Sequence, residues 1–422
     1  MNRRQFLRSS AAAGVVALVG GPSVVRAADG DVLLGFVGDL LTDRDDPDEA
    51  YAPVRDLLAA PDVLFGNLEG PYSDKPRSVP SAGLALVPPA RNLDVLSRVG
   101  FDVLSLANNH ILDGGREAML ENRQRLHEQG VSTCGAGGSL EEARAPAILE
   151  AGGVKVAYLA YASVFPRGYE ARGSLAGLAP LRAHNFYQDL IDDAYTPGAD
   201  PRVSTVPDKA DHDNLAADIA AAKEQADLVV ASFHWGDHFK AHHLTDHELR
   251  TARLCIDLGV DIVVGHHQHV LRGMEWYRDR PVFYGLGHFV FDVRLDRWPE
   301  EMVAAMPVLD DDADYYGVAP RRGWPLMPLH PEARMTALGY VKLAEGAPSE
   351  FGFVPCRLNP DGAVRAVDPE TPEGREVVDY VDHGCMSQRL NGRVDTSSYV
   401  EIAGHRGVRI RRPFGPIGAT RE

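Results

Sequence analysis

The sequence predicts a layered α/β protein with one polar site at the edge of a sheet. Three observations predict it. Strand-like and helix-like stretches alternate from residue 31 to about residue 290. Five apolar tracts end abruptly in Asp, Asn, Glu or His. One of them, Asp261-Ile262-Val263-Val264-Gly265-His266-His267-Gln268-His269-Val270, delivers three imidazoles at its carboxyl end. A buried strand that stops in such residues places them beyond its end, where open α/β sheets bind ligands.

The strand signals lie at residues 32–37, 63–66, 103–106, 154–161, 228–233, 262–264 and 282–284. The helical signals lie at 51–60, 90–99, 116–129, 214–225 and 246–258. Such alternation implies layers of helix on sheet. Asp113, just before the third helix, reads as its cap. Residues 162–209, rich in Gly, Pro, Ala and Tyr, interrupt the rhythm and read as an insertion that serves as a lid or substrate wall. Residues 293–335, with an acidic run at Asp310-Asp311-Asp312, read as a second loop-rich insertion. Strand-like pieces resume at 338–343 and 351–358. The basic stretch Arg409-Ile410-Arg411-Arg412 reads as a last strand or a surface strap. No internal repeat is visible. The expected division is a signal peptide over residues 1–27, a main domain over 31–358 and a C-terminal extension over 359–422.

Bulk composition bounds the function. The chain has 422 residues, 45% hydrophobic and 24% charged, within the range of an ordinary globular protein. Its net charge of −17 excludes nucleic-acid binding by a basic face. The amino terminus, Arg3-Arg4-Gln5-Phe6-Leu7, followed by a mild apolar run and Val25-Arg26-Ala27, has the form of a twin-arginine export signal. Its apolar run is too short for a comfortable bilayer span. Cleavage after Ala27 removes Arg3, Arg4, Arg8 and Arg26 and leaves a still more acidic chain that does not span a membrane, placed in the periplasm or outside the cell. The four cysteines, Cys134, Cys255, Cys356 and Cys385, form no Cys-x-x-Cys pair, so a thiolate zinc site is unsupported. Export permits a disulfide between Cys356 and Cys385; buried free thiols are the alternative.

The residues at the strand ends suit metal ligation. The tracts are Val37-Gly38-Asp39, Gly66-Asn67-Leu68-Glu69, Ala107-Asn108-Asn109-His110, Phe233-His234-Trp235 and the triple-histidine tract. Carboxylates and amides offer hard oxygens and neutral imidazoles offer nitrogen, a mixture that fits Mn, Fe or Zn better than Ca. Two such ions roughly 3.5–4 Å apart can hold a bridging hydroxide and polarise a phosphoryl oxygen. Each tract alone has a bland reading. Gly-Asp after a strand is most often a turn, Asn-Leu-Glu a helix start, and a single His a satisfied core residue. Their order along the chain is what points to one centre.

The same residues resemble a known family. Gly38-Asp39, Asn67-Leu68-Glu69, Asn108-Asn109-His110 with Asp113 and Gly115, Gly135-Ala136-Gly137, His234-Trp235-Gly236, Gly265-His266-His267-Gln268-His269 and Tyr284-Gly285-Leu286-Gly287-His288-Phe289 look like the poly-γ-glutamate capsule biosynthesis family, the CapA-type branch of the calcineurin-like metallophosphoesterases. The resemblance covers about residues 31–292 and weakens through about 358. It implies a four-layer α/β/β/α sandwich with a two-metal centre. By that resemblance Asp39, Glu69 and His269 hold the first metal, with Glu69 favoured over Asn67 as the shared oxygen donor. Asn109, His234 and His267 hold the second, and His110 assists the leaving oxygen. Asn67, Asn108, Asp113, His238, His266 and His288 are expected to stand behind the ligands or touch substrate. The chain departs from the family at Leu41, where the wider superfamily has a ligating His, at Gln268 for Pro, at His288 for Asn and at His238 for Glu.

The resemblance implies an exported metal-dependent hydrolase, most simply of phosphoesters, acting on a small-molecule or polymer substrate and linked to capsule assembly proteins. Two alternatives stay open: a non-catalytic accessory of capsular polymer assembly, and an amide-bond hydrolase.

Overall fold

The structure, a computed structural model, describes residues 23–25, 32–79, 85–191, 194–238 and 240–413. The expected signal peptide lies outside these residues, apart from a short strand at Ser23–Val25.

The long apolar tracts become the central strands of two sheets. In the first half, β1 (Val32–Leu41), β2 (Val63–Leu68), β3 (Val103–Ser105) and β4 (Ser132–Cys134) run parallel, with α1 (Asp94–Val99) and α2 (Arg116–Glu128) between them. A second parallel set is flanked by β5 (Ala147–Ala151). It comprises β6 (Val154–Ala162), β9 (Leu228–His234) and β10 (Ile262–His266), with α3 (Lys209–Lys223) and α4 (Asp246–Leu258) as crossovers. Between β6 and α3 a hairpin forms from β7 (Ala183–Gln188) and β8 (Arg202–Pro207). The hairpin β11 (Met274–Tyr277) and β12 (Arg280–Phe283) finishes a seven-stranded sheet, in the order Ser23–Val25, β5, β6, β9, β10, β12, β11.

The remaining strands enlarge the first sheet to ten. They are β13 (His288–Phe291), β14 (Met335–Ala344), β15 (Ala347–Leu358), β16 (Val364–Ala366), β17 (Arg393–Ile402) and β18 (His405–Arg411). Its main path runs β17-β18-β15-β14-β1-β2-β3-β4, with β13 paired to β1 and β16 to β15. The basic tail is therefore a last strand, since Arg409 and Arg411 belong to β18.

The two sheets pack face to face. Val156, Tyr158 and Ala160 of β6 join the core shared with Phe36 and Phe65; Ala157, Leu159 and Tyr161 join the core under α3 and α4. This period-two division explains why both sets of positions are apolar: a strand covered on both faces reads as a continuous hydrophobic run. Phe65 stacks on Tyr158 at 5.7 Å across the interface, and Phe36 meets Phe283 at 5.8 Å. Val95, Leu96, Met119 and Leu126 cover the outer side of the first sheet. The layers are thus α/β/β/α, as expected.

Local chemistry sets the boundaries. Helix α4 carries a reciprocal capping box, Thr245 with Glu248, and ends at Gly259 in the left-handed region, so its limits match the expected 246–258. The expected helix at 51–60 becomes a 3₁₀ turn, Ala52–Val54, and a short helix, Arg55–Leu58; Pro61 disfavours helical backbone at Ala60 before it. Asp113 does not cap α2. The cap position is Gly115 with φ 93°, and the Asp113 carboxylate is used elsewhere. All four cysteines are buried and free, so no Cys356–Cys385 disulfide forms. Cys385 in α5 (Pro372–Ser387) instead places its thiol 3.3 Å from the Met274 carbonyl. Among the described residues no helix is long and apolar enough to cross a membrane.

Candidate metal centre

Parallel strands end on the same side, so β1, β2 and β3 of one sheet and β9 and β10 of the other open at a common edge. There the tracts named in the sequence meet. Asp39, near the end of β1, accepts a hydrogen bond from the Asn67 side-chain amide at 2.8 Å and from the His267 backbone amide at 3.2 Å. His266 Nδ1 lies 3.4 Å and His269 Nδ1 3.3 Å from its carboxylate oxygens. Glu69, directly after β2, lies 3.6 Å from His234 Nε2 and 3.7 Å from His269 Nε2. His234 Nε2 faces Asn109 Oδ1 at 2.6 Å.

Two donor groups result, each with ligand atoms all within 4.8 Å of one another: Asp39, Glu69 and His269, and Glu69, His234 and His267. Glu69 belongs to both. Its two carboxylate oxygens are buried and have no hydrogen-bond partner, as do Nδ1 of His267 and of His269. A buried charged oxygen without a partner is costly. Divalent cations would satisfy these atoms, so the donor set fits the two metals that the resemblance implies.

Electrostatics agree. Burial raises the Asp39 pKa, but the imidazoles of His266 and His269 beside it outweigh that and hold the carboxyl well below the usual range. Burial, then the charge of Asp39, pushes Glu69 well above it. Burial pushes His234 and His267 well below the ordinary imidazole value, leaving neutral rings with a lone pair to offer.

The backbone is shaped for this arrangement. His267 has φ 94° and His269 φ 56°, both in the left-handed region that non-glycine residues rarely adopt. Gln268, fully buried between them, donates to Glu248 at 2.8 Å and to the Tyr284 carbonyl at 3.1 Å, which pins the strained turn. An amide in place of the family's proline is thus a tether.

The other named residues fall into two places. Asn108 donates to Asn67 Oδ1 at 3.2 Å and to the Leu68 carbonyl at 2.7 Å, and so orients the amide that contacts Asp39. His110 stands at the rim, with 21% of its side chain exposed, and its Nδ1 meets Asp113 at 2.7 Å. Asp113 also accepts from the Leu86 amide and from the Tyr169 hydroxyl, each at 2.8 Å. His238 lies outside both donor groups, 3.4 Å from His267 Nε2; burial, then His269, lowers its pKa to about 4. His288 stands beside the first group, its ring 5.5 Å from that of His269.

Sequence reasoning missed Tyr169 and Phe291. Tyr169 comes from the insertion that follows β6, and no local pattern ties it to Asp113. Phe291 packs against both His269 and His288, at 4.6 and 5.3 Å, yet reads in the sequence as one more core aromatic. A cavity of about 840 Å³, lined by residues such as His242, Tyr316 and Tyr380, includes none of the donors.

A sandwich of this kind, with carboxylates, amides and neutral imidazoles gathered at the ends of strands from both sheets, defines a class of protein built around a candidate metal centre. The chain belongs to the bacterial capsule synthesis protein PGA_cap family, whose model matches residues 27–293. A twin-arginine translocation signal matches residues 1–20 and marks the chain for export. The PGA biosynthesis protein CapA of Bacillus subtilis is 30% identical over 265 residues, which is 62% of each chain. The capsule biosynthesis protein CapA of Bacillus anthracis is 26% identical over 69% of this chain and 65% of its own. The chain therefore spans under two thirds of the length of either relative. A Mycobacterium tuberculosis protein named as a probable polyglutamine synthesis accessory protein is 30% identical over 48% of each chain. Solved structures are remote. The calcineurin-like phosphoesterase YfkN of Bacillus subtilis has 13% identity and a TM-score of 0.33 over 85% of this chain and 98% of its own. A hypothetical protein of Thermus thermophilus has 13% identity and a TM-score of 0.40 over 77% of this chain and 98% of its own.

Proposed function

We propose that this chain is an exported, metal-dependent hydrolase of phosphoester bonds, working in the periplasm or outside the cell in the biosynthesis of a capsular polymer. One observation carries the reading: Glu69, fully buried and without a hydrogen-bond partner, is shared by two donor groups drawn from both sheets. Glu69 would serve both donor groups: with Asp39 and His269 it would hold one divalent cation, and with His234, His267 and Asn109 a second. Two divalent cations there would polarise a phosphoryl oxygen and supply a water-derived nucleophile at neutral pH.

The remaining residues manage orientation and protons. Asn67 and Asn108 fix the Asp39 carboxylate. Asp113 accepts from His110 Nδ1–H, which selects the tautomer and leaves Nε2 to pass a proton to the leaving oxygen. The Tyr169 hydroxyl and the Leu86 amide hold Asp113 in turn.

The test is hydrolysis of bis-p-nitrophenyl phosphate by protein loaded with Mn, Fe or Zn, beside a His110→Ala variant. The variant is expected to lose about 10²–10⁴-fold in turnover while keeping its metal. Failure of every loaded form to cleave any phosphoester would sink the catalytic reading. It would favour an accessory role in polymer assembly, the role carried in the name of the Mycobacterium tuberculosis relative.

A further inference from the structure

We infer that His288 is an additional nitrogen ligand of the first cation, closing the donor group formed by Asp39, Glu69 and His269. The inference rests on the two-cation reading above and adds to it a donor on a different strand.

His288 opens β13 and is paired in register with Asp39 on β1, parallel to it. Paired residues of neighbouring strands project on the same face, so the imidazole and the carboxylate share one side of the sheet. The His288 side chain is fully buried, and neither of its ring nitrogens has a hydrogen-bond partner. An imidazole carries one donor and one acceptor, and leaving both unmade in a dry interior is an expense that native cores avoid.

The surroundings narrow the partner. The nearest rings are His269 at 5.5 Å and Phe291 at 5.3 Å; Phe291 offers no acceptor, and His269 already belongs to the first donor group. That group holds three residues, one short of a four-coordinate site. His288 stands just outside it, with its ring nearly parallel to Phe291, at 19°. Phe291 touches the rings of both histidines, so one aromatic wall aligns the two imidazoles at the same edge of the site. A cation between Asp39 and His269 is a partner that one of the two orphan nitrogens, the one bearing the lone pair, can meet.

The test is cation binding by chelator-stripped protein, with His288→Phe and His288→Asn compared with wild type and with Asp39→Asn. Phenylalanine preserves the stacking on Phe291, and asparagine retains a smaller oxygen donor, so at least one variant reports on a folded protein. Calorimetric titration with Mn²⁺ is expected to give two sites in wild type. The second site should be unchanged in His288→Phe, and the first at least tenfold weaker, with His288→Asn between. Disturbed packing beside Asp39 and His269 would also weaken a site. Pulsed EPR of bound Mn²⁺ separates the two: the nitrogen coupling of one imidazole must vanish in both variants. Binding within twofold of wild type, or an unchanged nitrogen pattern, overturns the assignment. If Asp39→Asn abolishes binding while His288→Phe does not, the assignment falls and the two-cation reading stands. If wild type binds no cation, both fall together.

Discussion

The approach of β13 to β1 should shape the candidate metal centre, and Gly38→Ala tests it. A Cβ built at Gly38 would lie 2.0 Å from the Gly287 carbonyl oxygen, where contacts under 3.0 Å do not occur. The strands must therefore separate by about 1 Å. The neighbouring hydrogen bond from the Asp39 amide to that same carbonyl, 3.1 Å long, would break or stretch. Overpacking costs about 1–3 kcal/mol and the lost bond about 1, so the metal-free protein is expected to lose about 2–4 kcal/mol. The shift also displaces Asp39 within a donor group whose atoms all lie inside 4.8 Å. Urea unfolding with and without Mn²⁺ measures both effects. The variant should unfold earlier without metal, and the stabilisation added by Mn²⁺ should fall by more than half. A wild-type midpoint, or a loss of stability with full metal-linked stabilisation, would refute the claim that this close approach shapes the site.

Other outcomes follow from the same geometry. Tyr169→Phe keeps the ring but strands one buried Asp113 oxygen. It should cost about 1–3 kcal/mol in denaturant unfolding and lower phosphoester turnover in the direction of His110→Ala. Removing cations with a chelator should lower the melting temperature, because a cation at a hundredfold its dissociation constant stabilises the fold by about 2.7 kcal/mol per site; an unchanged scan would count against resident metal. Stability should also depend on pH through His247, which contacts Ser163 at 2.9 Å and Thr251 at 3.4 Å. Burial, then His212, lowers its pKa to about 4, against a smaller opposing pull from Asp246. The unfolded chain thus binds this proton more readily, so the contribution is whole above about pH 6.5 and is lost as pH falls toward 4. The loss should reach about 2 kcal/mol after discounting for solvent, and the wild-type minus His247→Gln difference should isolate it.

Much of this was legible from residue order. Helix α4 announces both ends, through Thr245 and Glu248 at the start and Gly259 after the finish, because capping is a local matter. The apolar tracts ending in Asp39, Glu69, Asn109, His234 and His269 gave the strands and the edge where they open, since strand direction follows from period and connection. What was not legible depends on pairing across long separations. The motif ties Asp113 to His110, but nothing near it says that Tyr169 is its other partner. Nothing near His288 says that its strand lies beside β1. The left-handed backbone at His267 and His269 was also hidden, because no glycine marks either position; Gln268 enforces it through contacts with Glu248 and Tyr284.

The unpaired thiols bear on where this protein matures. A fold that closes without any sulfur–sulfur bond can finish in the reducing cytoplasm, before passage through a translocon that carries folded cargo. Any cation held by the candidate donors would then be drawn from the intracellular pool, and the burial of Glu69 and His234 would slow its exchange outside.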